Sequence, residues 1–108
     1  MDEQRMEDAL ESARCAQLLK AIADPERLRI VQCLRSGARN VSEIAESLDV
    51  EMANASHHLG ILKQSGFVLA DKQGRFVVYS LNPQIFVAIP SSKTPNRIDL
   101  GCCRIDLP

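Results

Sequence analysis

Cys102 and Cys103 stand side by side near the carboxyl end, between two copies of the tetrapeptide Arg-Ile-Asp-Leu. Thiolates are soft donors that select soft ions, and they are also the side chains that oxidants attack first. The remaining cysteines are Cys15 and Cys33, and no Cys-x-x-Cys occurs, so a thioredoxin-like role has little support. Joining Cys102 to Cys103 would close a strained ring far from ordinary disulfide geometry. A structural reading competes with the chemical one. Ile98, Leu100 and Cys102 share one strand parity, whereas Cys103, Ile105 and Leu107 share the other. Either a bulge or turn at Gly101 lets both apolar sets face one way, or the segment is sandwiched on both faces. In that case the cysteines are filler in a terminal strand. Both readings stay open on the sequence alone.

His57 and His58 are the other obvious candidates. Adjacent residues on a helix point about 100° apart and cannot easily chelate one ion. There is no nucleophile–base pair, phosphate loop or closed metal motif, so an enzyme is not expected.

These residues must be positioned by a small scaffold. With 108 residues, 45% of them hydrophobic and 25% charged, the chain has the size and composition of one ordinary soluble domain. No apolar run approaches the roughly 18 residues of a membrane span. The start MDEQRMEDALE is acidic, opposite to a signal peptide. A cytoplasmic location is therefore expected, and with it four free thiols. The net charge of −1 gives no hint of a nucleic-acid partner, but its distribution is uneven. Residues 1–11 carry five acids against Arg5, whereas from Ala53 to Arg75 only Asp71 opposes Lys63, Lys72 and Arg75. A polyanion would meet that second stretch.

Hydrophobic spacing predicts a first helix over Met6 to Ala23 with two apolar stripes. Met6, Leu10 and Ala13 lie on one stripe, and Cys15, Leu18, Leu19 and Ile22 on the other, so one stripe is expected to face a partner subunit. Asp24-Pro25 marks an N-cap and first helical position for a second helix to about Arg35, with Leu28, Val31 and Leu34 inward. Asn40-Val41-Ser42-Glu43 has the form of a capping box and starts a short third helix to Ser47. A fourth, about Met52 to Gln64, buries Ala55, Leu59 and Leu62 and stops at Gly66. Two short helices with a tight connection make a helix-turn-helix. Phe67 to Ala70 and Arg75 to Leu81 then read as strands around a polar tip, a wing. Asn82-Pro83 is placed to open one more short helix, which Pro90 would limit. Residues 90–96 are linker-like. The fold class expected is thus mainly α with a small β-hairpin: a winged helix-turn-helix, dimeric, over residues 1–89, with its helix-turn-helix at about 41–65 and its wing at about 67–81. A linker and a strand-like, cysteine-containing tail occupy residues 90–108.

The segments LLKAIADPERLRIVQCL, NVSEIAESLDV, ASHHLGILKQSGFV and GRFVVYSL strongly resemble the ArsR/SmtB family of bacterial winged-helix repressors. The match runs from about Leu18 to Leu81, and its specificity lies in the order and spacing of the segments. The resemblance implies a homodimeric repressor on a roughly palindromic DNA operator, released when a metal ion or another inducer binds. In that geometry the second helix of the helix-turn-helix lies in the major groove. Its outward residues would be Asn54, Ser56, His57 and Lys63, with Asn54 suited to bridge adenine N6 and N7. His58 leans inward and reads as structural. On the wing, Lys72, Gln73 and Arg75 suit phosphate or minor-groove contact. Glu51, Met52 and Ala53 depart from the polar residues common in the family at this helix start, and Glu51 would repel phosphate.

Family inducer sites can be checked residue by residue. Residues 40–43 hold no thiol, so the arsenic-type site at the third helix is absent, and residues 82–96 hold no His, Asp or Glu for a zinc-type site. What remains is Cys102 and Cys103 with Cys15 of either subunit, a three-thiolate set for arsenite, cadmium or lead. A thiol-oxidation switch pairing Cys15 with a tail cysteine is the variant of that reading. Cys33, between Val31 and Leu34, reads as core. The rival from another class is a winged-helix protein–protein adaptor without DNA binding, and a family member with no metal sensing is a third possibility.

Overall fold

The computed structural model describes residues 3–90 and 92–108, so Asp2 of the acidic start and Ser91 of the linker-like segment lie outside the described residues. Helix α1 runs Glu3–Ile22, α2 Pro25–Leu34, α3 Val41–Leu48 and α4 Met52–Gln64. Strands β1 (Arg39–Asn40), β2 (Val68–Gln73) and β3 (Phe76–Leu81) form one antiparallel sheet in the order β1-β3-β2. Strands β4 (Phe86–Val87), β5 (Arg97–Asp99) and β6 (Arg104–Asp106) form a second, in sequence order.

Local chemistry fixes the helix ends. The Asp24 side chain accepts from Arg27 N at 3.1 Å, and Pro25 fills the first helical position. That backbone donor is also the main reason the Asp24 carboxyl is held below the usual carboxylate value. At α3 the box is reciprocal: Glu43 N donates to Asn40 Oδ1 at 2.9 Å, and Asn40 N donates to Glu43 Oε1 at 3.0 Å. Asp49 adopts the left-handed conformation at φ 56° and lets the chain reverse into α4 within three residues. Helix α4 then buries Ala55, Leu59 and Leu62, spaced at i, i+4 and i+7. These pack with Ile30, Val31 and Leu34 of α2 and Ile44, Ala45 and Leu48 of α3 in one core. Gly60 lies within α4, and a Cβ added there would meet nothing. Gly60→Ala is accordingly expected to stabilise the domain by about 1 kcal/mol, measured as a raised denaturant midpoint with unchanged slope.

The wing hairpin pairs Val68 with Leu81 through Gln73 with Phe76, closing on Gly74-Arg75 with Gly74 at φ 62°. Its β3 also pairs with β1, Asn40 opposite Val78.

Beyond the wing the structure departs from expectation. The segment from Asn82 forms a turn and a strand instead of a helix. There the Asn82 backbone carbonyl accepts from Ile85 N and Phe86 N, its side chain accepts from Gln84 N, and its amide donates to the Gly66 carbonyl. The tail is a hairpin with its turn at Gly101, φ 82°, which is the turn that one of the two readings of this segment required. The repeated tetrapeptide explains the pairing. Two antiparallel copies of Arg-Ile-Asp place Arg97 opposite Asp106, Ile98 opposite Ile105, and Asp99 opposite Arg104. Opposite charges therefore meet at both ends and isoleucines in the middle. Arg97 Nε donates to Asp106 Oδ1 at 2.6 Å, which lowers the Asp106 carboxyl below its ordinary value, and Arg104 Nε lies 3.4 Å from Asp99 Oδ2.

The tail and the strand it pairs with are packed into the domain. Ile98 is fully buried in the same core as α2 and α4, and Phe86 meets Phe67 edge-on at 6.2 Å. Arg35, the C-cap of α2, also donates to the carbonyls of Pro95 and Pro108, both at 2.7 Å. Ile98→Ala is expected to cost about 2–4 kcal/mol in chemical denaturation, as for other truncations of fully buried aliphatics. A loss below about 0.5 kcal/mol would instead mark the hairpin as a loosely attached appendage.

Candidate nucleic-acid interface and thiol cluster

The connection between α3 and α4 lets α4 show one face to the core and the other to solvent. Ala55, Leu59 and Leu62 face inward, while Ser56, His57 and Lys63 are exposed. Lys72, Gln73 and Arg75 are exposed at the wing tip, where the Arg75 guanidinium sits 5.3 Å over the Phe76 ring. Gln73 Nε2 donates to Asp71 Oδ2 at 3.2 Å, which engages the single acid of this stretch.

Asn54 is placed differently from the rest. It is exposed, but its Nδ2 donates to Glu26 Oε2 at 2.8 Å. Bridging adenine N6 and N7 would require it to share or give up that bond. The same Glu26 oxygen lies 2.8 Å from His58 Nε2, and Arg27 Nη1 lies 3.1 Å from His58 Nδ1. An imidazole carrying its proton on Nε2 satisfies both contacts, donating to Glu26 and accepting from Arg27. His58 is thus a strut between α4 and the start of α2, and Glu26 and Arg27 are its partners. Sequence spacing gave no sign of those two, since the contacts span some 30 residues. A second new feature is Met52, the first residue of α4, which is 52% exposed.

The second cluster lies where the tail hairpin meets α1. The sulfurs of Cys15, Cys102 and Cys103 all lie within 4.8 Å of one another. Here one expectation needs correcting: Cys15 and Cys102 are joined in a disulfide, leaving Cys33 and Cys103 as free thiols. The turn at Gly101 brings residue 102 back onto α1, with Cα atoms 6.2 Å apart, well inside the range that a disulfide spans. Cys103 Sγ stands 3.8 Å from Cys15 Sγ. A cavity of about 190 Å³, lined by Glu11, Arg14, Cys15, Leu18 and Cys102, opens beside the sulfurs. The donor set fits a soft ion only in the reduced state, since a disulfide sulfur is no thiolate. Cys33 is half-buried beside the core and stands apart from this group.

Helix pair, tight turn and basic wing define a winged helix-turn-helix protein, and known proteins agree. A family model described as a helix-turn-helix domain matches residues 22–69. The chain is 40% identical over 74 residues to the transcriptional regulator NmtR of Mycobacterium tuberculosis, covering 68% of this chain and 62% of that one. It is 38% identical to the transcriptional repressor SdpR of Bacillus subtilis, covering 63% and 76%. HlyU from Vibrio cholerae superposes with a TM-score of 0.63 at 33% identity, over 67% of this chain and 78% of HlyU. Mb0332 from Mycobacterium bovis, described as a homodimeric winged helix-turn-helix domain of a possible ArsR-family regulator, gives 0.68 at 28% identity, over 78% and 75%. The chain belongs to the ArsR/SmtB family of winged-helix transcriptional regulators. It spans about three-fifths of NmtR's length and about three-quarters of SdpR's. Among the described residues no helix is long and apolar enough to cross a membrane.

Proposed function

We propose that this protein is a DNA-binding transcriptional repressor that acts as a homodimer on a palindromic operator and is released by an inducer acting on the sulfurs of Cys15, Cys102 and Cys103. The observation that carries the DNA reading is the shared exposure of Ser56, His57 and Lys63 on α4 with Lys72, Gln73 and Arg75 on the wing. Ser56 and Arg75 line one groove, so α4 can offer polar groups for base edges while the wing offers cations for phosphates. The repressor role follows from the kinship with SdpR and with the arsenical resistance operon repressor of Escherichia coli, 41% identical over 70 residues. Met6 and Leu10, 54% and 66% exposed on α1, supply an apolar stripe for the second subunit. When reduced, the three cysteines would hold arsenite, cadmium or lead through thiolates, and an oxidant would act by joining Cys15 to Cys102. Residues 1–89 carry the DNA-binding part in this reading, and residues 90–108 the thiols.

A protein–protein adaptor is the second reading, favoured by Glu51 at the start of α4 and a sequence pI near 6.1. Titrating the reduced protein against the promoter of its own gene at rising salt separates the two. A repressor binds with an affinity that falls steeply with salt, because displaced counterions drive association. Absence of binding at low salt would favour the adaptor.

A further inference from the structure

Strand β6 stands at one end of the sheet β4-β5-β6, so its outer side meets no strand of this chain. The hydrogen bonds on its inner side fix what the outer side shows. Leu100 N donates to the Cys103 carbonyl, and Leu107 N donates to the Asn96 carbonyl. Bonded and unbonded pairs alternate along an antiparallel ladder. Ile105 therefore bonds inward to Ile98, while the N–H and C=O groups of Arg104 and Asp106 point outward from the edge. The two side chains are exposed as well, at 67% and 62%.

Charges on an edge strand ordinarily deter pairing with another chain. Here they flank a central isoleucine with opposite signs, so Arg-Ile-Asp read backwards is Asp-Ile-Arg. The chain already pairs this tripeptide with its own twin, β5 against β6, with charges matched at both ends. From this we infer that β6 is a docking edge for β6 of a second copy, antiparallel about a two-fold axis at Ile105. That register is the one the outward groups can satisfy. Arg104 exchanges two backbone hydrogen bonds with Asp106 of the second copy, and symmetry supplies two more. Three rows of side chains then cross four strands. Each outer row runs Asp99 and Arg104 from one copy, then Asp106 and Arg97 from the other, alternating in sign throughout. The middle row is four isoleucines. On α1, the Cys15 that holds the hairpin lies about 140–180° around the helix from Leu10 and Met6, at about 100° per residue. The edge is thus a contact separate from the apolar stripe of the homodimer reading, and it depends neither on that stripe nor on DNA binding. With three residues a side it is a small interface, weak and reversible.

Amide hydrogen exchange reads the edge residue by residue. In the oxidised protein, exchange at Arg104 and Asp106 should slow as protein concentration rises, about tenfold at roughly ten times the Kd, because only the unpaired fraction exchanges. Ile105, bonded within the chain, should not respond. Asp106→Pro removes one outward N–H and leaves the β5–β6 ladder whole, since an edge strand tolerates proline on its open side. This variant should halve the mass of the largest species in sedimentation and abolish the concentration dependence at Arg104. Retained protection at Ile105 shows that its hairpin is intact. Fast exchange at Arg104 and Asp106 at every concentration up to about 1 mM overturns the inference. An Asp106→Pro variant that associates like the parent overturns it too. Association lost only in Leu10→Asp overturns the tail contact and leaves the homodimer reading standing.

Discussion

The double variant Cys102→Ser, Cys103→Ser is expected to bind its operator like the parent and to stay bound in arsenite, cadmium and peroxide. Neither residue lies on α4 or the wing, so the surface proposed for DNA is untouched. What disappears is chemistry. A serine oxygen is a hard, weakly acidic donor that does not replace a thiolate toward soft ions, and it forms no disulfide. Cys15 alone then offers a single sulfur. Operator release measured by fluorescence anisotropy should occur in the parent and be absent in the variant. Cys33→Ser serves as the control that keeps the response, because Cys33 stands outside the three-sulfur group. A normal response in the double variant would make the tail a packing element and remove the thiols from the induction mechanism.

The second large effect concerns the wing. Lys72→Ala combined with Arg75→Ala removes two exposed cations per subunit at the hairpin tip, and so about four phosphate contacts per dimer. The slope of log affinity against log salt should fall by about 3 to 4, and affinity near physiological salt by two to three orders of magnitude. Discrimination between operator and unrelated duplex should change little, because phosphate contacts position the protein without reading sequence. The opposite pattern, little loss of affinity but relaxed specificity, would move the wing into the base-reading set.

Much of this architecture was legible in the chain because its signals are local. Asn40 with Glu43, Asp24 with Pro25, and the spacing of Ala55, Leu59 and Leu62 each declare a helix end or face within two to eight residues. The fourth helix accordingly falls over Met52–Gln64 as expected. The wing was legible too, since its turn glycine lies between two runs rich in apolar, aromatic and β-branched residues. What stayed hidden depends on pairing at a distance. The twin Arg-Ile-Asp segments were visible as a repeat, yet their meaning emerges only when one copy is reversed against the other. The Cys15–Cys102 bond was foreseen only as an oxidation-switch variant, because an argument from compartment favoured four free thiols, and compartment concerns the redox surroundings and not whether two sulfurs are brought together. The tie from Glu26 to Asn54 and His58 joins side chains that no periodicity relates. It also shows why the candidate base-reading set was harder to foresee than the fold: exposure follows from helical phase, but a side chain's existing partner does not.

One junction has a mechanical corollary. Asn40 is at once the end of β1, bonded into the wing sheet opposite Val78, and the cap that starts α3. A single residue therefore couples the hairpin lever to the helical reading head, and neither swings without dragging the other. In the proposed dimer each protomer would present a stiff two-pronged fork, so an inducer would gain most leverage by altering the pitch between two forks, not by bending the tines of one.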